Sequence, residues 1–250
     1  MSTALVLGWR ALREAARTPE ALFPTIFIPL FFLAVNVGQV GKIFPSSTAF
    51  LEGQNYGAFQ LPNTLLLAAS FGSAALFLVE EIEGGYFDKL RATPVSRTAL
   101  VMGRLLAEGV KMLLIATLIV LAALPFGISI ASGVPGFLLL ITITALWGVV
   151  FAGFMQLIAL KSRSAAATNS GGMIFFPLMF LTPNFVPREL LTRPMEIAAT
   201  FNPVTYMIES QRSLVLDDLD WSAIAPGFAV VGALGLVMVW LNVRVIRNYD

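Results

Sequence analysis

Few residues in this sequence could carry chemistry, and their types exclude most enzymatic mechanisms. The 250 residues include 15 Asp and Glu and 16 Lys and Arg, but no histidine and no cysteine. Without them the chain lacks the commonest general base and metal ligand and any thiolate nucleophile. No segment fits Gly-x-x-x-x-Gly-Lys-Ser/Thr, because Gly41-Lys42 lacks the upstream glycine and the following hydroxyl. We therefore expect a chain that is not an enzyme and carries no cofactor of its own.

The most informative polar segment interrupts two apolar runs at residues 81–95, and we call this segment the handle. Its sequence is Glu-Ile-Glu-Gly-Gly-Tyr-Phe-Asp-Lys-Leu-Arg-Ala-Thr-Pro-Val. Gly84-Gly85 permits a sharp turn. Thr93-Pro94 stops a helix, because the residue before proline is pushed out of the helical region. Ser96 is a suitable N-cap for the helix that follows.

Between the glycine turn and the proline stop, the handle predicts a short helix that could fit a groove in a partner protein. The residues expected to project from it are Tyr86, Phe87, Leu90 and Lys89. The acids Glu81, Glu83 and Asp88 have a simpler interpretation, since taken alone they could form an ordinary solvated cluster. If Glu83 has a functional role, we expect it to anchor the handle. It would do so through hydrogen bonds, or through basic residues of its own chain or of the partner chain.

A few polar residues fall within apolar stretches. Glu108 and Lys111 are three positions apart, so they can pair on one helix face, and we favour a structural pair over a functional one. For Gln156 and Asn169, hydrogen bonding between helices is the commoner explanation.

The elements that position these residues are membrane helices. The chain is 57% hydrophobic and 12% charged, whereas soluble domains are about 25% charged. A membrane-spanning helix needs about 20 apolar residues. Six stretches qualify: Ala21–Val40, Leu61–Val79, Leu105–Phe126, Phe137–Leu160, Ala165–Leu181 and Ile224–Val243.

The basic residues predict that both termini are cytoplasmic, because cytoplasmic loops carry more Lys and Arg. With that orientation the inner side holds Arg10, Arg13, Arg17, Lys89, Arg91, Arg97, Arg104, Lys161, Arg163, Arg244 and Arg247. The outer side holds only Lys42, Arg188, Arg193 and Arg212.

Two flanking segments complete the expected fold, an all-α membrane protein forming a single transmembrane domain over residues 1–250. Residues 1–20 place apolar and basic side chains on opposite helix faces, which predicts an amphipathic helix in the inner interface. Residues 182–222 contain four prolines and several apolar side chains, which predicts a re-entrant or interfacial helix pair on the outer side.

Two motifs give the sequence a family resemblance. The first is Glu81-x-Glu83-x-Gly85-x-x-Asp88-x-Leu90-x-x-Thr93-Pro94-Val95, followed by Gly103-Arg104. The second is Phe201-Asn202-Pro203-Val204-Thr205-Tyr206 with Glu209 and Arg212, after Pro187-Arg-Glu-Leu-Leu191. Together they resemble type-2 ABC exporter permeases, in particular the daunorubicin-resistance-like branch.

The resemblance implies a permease for drug-like or lipid molecules that pairs with a second copy or a sister permease. Two separate ATPase subunits would bind ATP and Mg, membrane lipid would surround the spans, and no nucleic acid is expected. The implied residues for coupling to the ATPase are Glu81, Glu83, Gly85, Tyr86, Phe87, Asp88, Leu90, Thr93 and Pro94. Those of the substrate path are Asn63, Ser70, Ser73, Phe77, Asn169, Phe175 and Phe176, and those of the outer motif are Asn202, Pro203 and Tyr206.

Two alternatives remain open. An exporter of lipid-linked glycans would need a wide, aromatic-lined polar tunnel, and the chain has only four Trp and four Tyr. An ion-coupled secondary transporter would need an acidic or histidine relay at mid-membrane, for which only Glu108 is near.

Overall fold

The computed structural model describes residues 3–17, 19–71, 74–91 and 95–248, and these residues fold into α-helices and short 3₁₀ helices joined by loops. Twelve α-helices lie in the described ranges: α1 Thr3–Ala16, α2 Pro19–Val40, α3 Tyr56–Ser70, α4 Ala74–Glu83, α5 Tyr86–Arg91, α6 Arg97–Ala123, α7 Gly133–Ser162, α8 Ala165–Gly172, α9 Phe175–Phe180, α10 Arg193–Phe201, α11 Pro203–Leu216 and α12 Trp221–Arg247. The all-α prediction is confirmed for this part of the chain.

Within the part of the chain that the structure describes, four helices are long and apolar enough to cross a membrane. They comprise Leu22–Val40, Arg97–Phe126, Gly133–Ser162 and Trp221–Arg247. These helices contain the first, third, fourth and sixth predicted spans almost entirely. The chain is therefore a multi-pass membrane protein.

The other two predicted spans are broken helices. The second is divided between α3, which ends at Ser70, and α4, which begins at Ala74, and the fifth is divided between α8 and α9. Gly171-Gly172 ends α8, as expected of residues with low helix propensity. Whether these two pairs cross the bilayer, making six spans, remains a prediction.

The helices form a bundle whose two ends carry different elements. The handle end holds α1, α5 and α8, and the opposite end holds α10 and α11. Helix α3 lies in the middle with every residue buried, and it packs against α2, α6, α7 and α11. Helices α6 and α7 approach closely where Gly148 faces Met112, because a side-chain carbon at Gly148 would collide with Met112 Cγ. Small residues allow such close packing in membranes.

Helix α1 is the predicted N-terminal helix, and it exposes large apolar side chains. Leu5, Val6 and Trp9 are all more than half exposed, which suits the predicted position in the membrane interface. On its inner face Gly8 packs on α6, since a side-chain carbon there would lie 3.0 Å from the carbonyl oxygen of Gly103.

The outer segment 182–222 contains the predicted helix pair as α10 and α11. Helix α11 is largely buried against α3, α7 and α12, and Met207 is fully buried. Helix α10 is more exposed, with Phe201 83% accessible. The re-entrant placement of this pair stays a prediction.

Candidate functional site

The handle begins with a turn that glycine makes possible. Helix α4 ends at Glu83, the Gly85 N–H donates to the Ile82 carbonyl (3.1 Å), and Gly85 has φ +68°. That left-handed conformation is unfavourable for residues with a Cβ. Helix α5 then starts at Tyr86, as the sequence predicted. The proposed stop at Thr93 and Pro94 lies outside the described residues.

The helix after the handle begins where the sequence predicted its cap. The Ser96 hydroxyl accepts a hydrogen bond from the backbone N–H of Ala99 (3.2 Å). This is a standard N-cap. It fixes the start of α6 directly after the handle.

Glu81 ties three helices together at the base of the handle. Its carboxylate accepts from Arg10 of α1 at 2.8 Å and pairs closely with Arg104 of α6. The Glu81 and Arg104 side chains are only 10% and 13% exposed, so water screens this pair little. The guanidinium of Arg10 also lies 4.7 Å from the centre of the Tyr86 ring, at the first turn of α5. A movement of α5 is therefore linked to both α1 and α6.

Glu83 makes a different connection. Its Oε1 accepts a hydrogen bond from the backbone N–H of Ala165 (3.1 Å), the first residue of α8. A carboxylate is favourable at a helix N-terminus. Glu83 thus joins the end of α4 to α8, in the region of the predicted fifth span.

The aromatic side chains of α5 differ in exposure. Phe87 is 2% exposed and belongs to a core cluster with Leu78 and Leu105, so the expectation that it projects outward is wrong. Burial of a phenylalanine stabilises by about 2 kcal/mol, which anchors the short helix. Tyr86 is 41% exposed and Lys89 is exposed. The side chains of Asp88 and Leu90 lie outside the described residues.

The predicted substrate-path residues fall in separate places. Ser70 accepts from Trp147 Nε1 (2.9 Å), and Phe175 lies with its ring centre 6.4 Å from that of Trp147, so both are core residues. Asn169 is exposed on α8. Ser73 and the side chain of Phe77 lie outside the described residues.

Asn63 and Phe176 do meet, at one cavity. It has about 610 Å³ of empty space, including its mouth, between α2, α3, α9 and the loop at Asn184 and Phe185. Its walls are mostly apolar, with the amides of Asn36, Gln60, Asn63 and Asn184 among the lining residues, the usual character of a small-molecule site.

A buried polar cluster, here named the amide cluster, forms one wall of this cavity. It comprises Gln60, Asn63 and Asn184, which line the cavity, and Arg212, which does not line it but donates to the Asn184 carbonyl. The carbonyl oxygen of Asn184 accepts from Gln60 Nε2 at 3.0 Å, from Asn63 Nδ2 at 2.6 Å and from Arg212 at 3.1 Å. Three donors on one carbonyl hold the outer loop against α3 and α11.

Arg212 is the buried charge of the amide cluster. It is 6% exposed, and its guanidinium carbon lies 3.7 Å from the centre of the Phe59 ring. Burial lowers the pKa of Arg212 to about 9, against the opposing effects of Glu209 and Tyr56. Arg212 therefore stays a cation at neutral pH. The Glu209 carboxylate binds Arg188 instead, through two bonds of 2.9 and 2.6 Å.

The outer motif has a structural explanation. Asn202 caps α11 by accepting from the Val204 N–H (3.0 Å), and its Nδ2 donates to the Leu178 carbonyl (2.6 Å) at the end of α9. Pro203 occupies the first turn of α11, where its missing N–H is not needed. The Tyr206 hydroxyl donates to the Thr200 carbonyl (2.8 Å), joining α11 to α10.

The intramembrane charges pair as predicted. Lys111 Nζ lies 2.7 Å from Glu108 Oε2, and the two side chains are 10% and 2% exposed. Gln156 is buried, and its Nε2 has no hydrogen-bond partner among the described residues. Within the same ranges, no three Asp or Glu side chains are grouped so that they could hold a metal ion.

Sequence reasoning missed Arg10, Gln60 and Asn184 as site residues, and it noted Arg212 only as part of the second motif. Gln60, Asn63 and Thr64 share one face of an otherwise apolar helix, a spacing that could have pointed to the cluster. Asn184 could not have been found in this way, because its contribution is a backbone carbonyl.

Comparison with known proteins identifies the class of protein. Residues 3–216 match the ABC-2 type transporter family, so the chain belongs to this family, whose members act with an ABC ATPase. The daunorubicin resistance ABC transporter permease protein DrrB1 of Streptomyces coeruleorubidus is 23% identical over 251 residues, which cover 99% of this chain and 87% of the relative. The probable doxorubicin resistance ABC transporter permease protein DrrC of Mycobacterium tuberculosis is 21% identical over 210 residues, 83% of this chain and 74% of the relative. The chain is thus similar to permease subunits of drug-resistance ABC transporters.

Proposed function

We propose that this chain is the transmembrane subunit of an ATP-driven exporter that moves hydrophobic or amphipathic small molecules out across the cytoplasmic membrane by alternating access. Membership of the ABC-2 family and similarity to two drug-resistance permeases support this function. The termini and the handle lie on the cytoplasmic side, as the distribution of Lys and Arg indicates.

The observation that carries the proposal is the geometry of the handle. A short helix, α5, follows a glycine turn and exposes Tyr86 and Lys89, while Phe87 holds it to the bundle. Glu81 connects its base to α1 and α6, and Glu83 connects it to α8. A push on α5 by an ATPase would therefore reach three other helices through contacts that are already formed.

The partners follow from this mechanism. Two ATPase subunits bind the handles of two permeases, either two copies of this chain or one copy and a sister permease, and each ATPase supplies ATP and Mg. The contact with the ATPase also includes Asp88, Leu90, Thr93 and Pro94.

The substrate passes the cavity at Asn63 and Phe176. This cavity supports the assignment because its walls are apolar and it lies next to α9, which the handle reaches through α8. The outer motif at Asn202 holds the ends of α9 and α11 together at the exit.

The first test is co-purification from native membranes, followed by an ATPase assay of the recovered proteins. We expect an ATP-binding subunit in roughly equal amount. The Lys89→Glu variant should reduce its recovery about tenfold, because a reversed charge on an exposed helix face disfavours a matched partner.

The matched control is Lys42→Glu, the same charge change at an exposed residue on the opposite side of the membrane, which should leave recovery unchanged. A pure permease oligomer without an ATPase would contradict the proposed function and return the ion-coupled transporter to consideration. Equal loss in both variants would show that the handle is not the contact.

A further inference from the structure

A further cavity lies against α2, on a different face from the cavity at Asn63. It has about 1030 Å³ of empty space, including its mouth. Its lining residues fall within 30–38 of α2, 55–57 at the start of α3 and 122–128 at and beyond the end of α6. The two cavities share one described lining residue, Leu33. We call the further cavity the α2 groove.

The polarity of the α2 groove limits what can occupy it. Among the described residues, no charged side chain lines it, and Asn55 is its only polar side chain. Asn55 Nδ2 donates to the carbonyls of Phe126 (3.2 Å) and Gly127 (3.0 Å), so both amide hydrogens are used. Its Oδ1 accepts from the backbone N–H of Ala58 (3.1 Å). The groove therefore suits an apolar occupant.

The α2 groove continues the surface that faces the hydrocarbon of the bilayer. Helices α2 and α6 are both long and apolar enough to cross a membrane. On α2, Phe27 and Phe31 are 51% and 54% exposed, and their spacing from Ala34 places the three on one helix face. On α6, the 53% exposed Leu118 lies one turn before Ala122. The exposed apolar faces of both spans thus lead into the groove.

The shape of the α2 groove favours a flexible chain. Leu33 and Ala123 at its floor are 7% and 1% exposed, whereas Phe126 is 77% exposed and forms part of its rim. No described atom lies within 4 Å of the position that a Cβ would take at Gly38. An apolar cavity of this kind holds no water, and unfilled space loses dispersion contacts. The flat side of a second permease would rest on the rim, but an acyl chain can reach the floor.

We infer that the α2 groove binds one acyl chain of a phospholipid, from the leaflet at the end of the bundle opposite the handle. The chain fills the space beside Gly38 and packs between α2, α3 and α6. This assigns a defined site to one lipid, beyond the lipid that surrounds any membrane span. The site needs neither an ATPase nor a transported molecule, so it does not rest on the proposed function.

The test uses a phosphatidylcholine that carries a diazirine near the middle of one acyl chain. The permease is reconstituted with it in lipid nanodiscs and irradiated, and peptide mass spectrometry locates the adducts. The comparison surface is residues 134–138 of α7, at the same end of the bundle, where Val134 and Leu138 are 72% and 53% exposed. We expect about fivefold more adducts on residues 122–128, because a bound chain stays there longer than the exchanging bulk lipid.

This first result needs no variant, so it stands even if a substituted protein fails to fold. Equal adduct yields on residues 122–128 and 134–138 overturn the inference, because the groove would then hold only bulk lipid. Protection of residues 122–128 from lipid adducts also overturns it, because protein, such as a second permease copy, would then cover the groove.

Two matched variants then locate the chain. Gly38→Leu fills the groove without a collision at Cβ, and it should remove the adduct excess on residues 122–128, which lie outside the substituted helix. Gly232→Leu is the same change at a glycine of α12 that also has open space at its Cβ position, and it should leave the excess unchanged. An unchanged excess in Gly38→Leu, or equal loss in both variants, overturns the assignment to the α2 groove.

The labelling experiment uses the full permease chain without its ATPase, so its result is independent of the co-purification. A recovered ATPase without an adduct excess keeps the proposed function and removes the lipid site. An adduct excess without a recovered ATPase keeps the lipid site and removes the exporter.

Discussion

At the scale of single residues, the handle depends on Glu81 more than on Glu83. The Glu81 carboxylate forms ion pairs with two arginines from different helices, Arg10 and Arg104. Removing its charge leaves the largely buried Arg104 beside a neutral amide. Glu83, by comparison, makes one hydrogen bond to a backbone N–H.

We predict that Glu81→Gln lowers the free energy of unfolding by about 2–3 kcal/mol, since it removes one partner of a largely buried ion pair. Unfolding in mixed detergent micelles measures the change. Glu80→Gln is the control, because Glu80 is adjacent but exposed, and it should change stability little. Equal effects of the two variants would contradict the role assigned to Glu81.

A second prediction at this scale concerns pH and Asp217, the residue that ends α11. Burial raises the pKa of Asp217, and the Glu52 carboxylate raises it further, while the hydrogen bond with Ser213 opposes them. Because the folded state holds the proton more tightly than the unfolded state, this group destabilises the fold as the pH rises through its raised pKa.

Asp217→Asn should therefore raise the thermal midpoint slightly at neutral pH. The difference from the parent protein should vanish as the pH falls below 3.8, the ordinary pKa of the residue. Thermal unfolding across this pH range provides the measurement. A lower midpoint at neutral pH would show that the Asp217 charge stabilises the fold.

At the scale of elements, the turn between α4 and α5 sets the direction of the handle. Gly85 has φ +68°, and no atom lies within 4 Å of the position that a Cβ would occupy. A substitution there is therefore limited by backbone conformation and not by space. Asparagine tolerates this conformation better than other residues with a Cβ.

We predict that Gly85→Ala destabilises the turn by about 1 kcal/mol and that Gly85→Asn has a smaller effect. Hydrogen exchange of the α5 amides should accelerate in the alanine variant first. Gly232→Ala is the matched control, because Gly232 lies inside α12 and also has open space at its Cβ position; that change should be neutral or stabilising. Unchanged α5 exchange in Gly85→Ala would mean that the turn is not under conformational control.

At the scale of the whole molecule, the two ends of the bundle have distinct tasks in the proposed function. We propose that the handle end carries the ATPase contact, whereas the opposite end carries the amide cluster and the cavity. Continuous helices, α6, α7 and α12, connect the two ends. This arrangement requires one orientation in the membrane.

Single cysteines test that orientation directly, because the sequence contains no cysteine. In intact cells a membrane-impermeant maleimide should label the Lys42→Cys variant and not the Lys161→Cys variant. Both positions are exposed, so accessibility differs only by the side of the membrane. After permeabilisation both should react. The reverse pattern would place the handle outside and contradict contact with a cytoplasmic ATPase.

The sequence by itself determined the class of the protein and the position of its main elements. Its low charge and long apolar stretches required membrane helices, and four of the predicted spans are long continuous helices. Local rules also predicted the Gly85 turn, the Ser96 cap and the Glu108–Lys111 pair. These features depend on residues within a few positions of one another, so the sequence pattern contains the information.

The tertiary structure alone decided which distant residues meet. Arg10 and Glu81 are 71 positions apart, and Arg212 is 153 positions from Phe59, so no local spacing predicts either contact. The inward direction of Phe87 had the same origin, because a short helix can present its aromatic ring to a partner or to its own bundle, and packing selects between them. The breaks in the second and fifth predicted spans were also decided at this level. An apolar stretch shows that burial is favourable, but the neighbouring helices determine where the chain can bend.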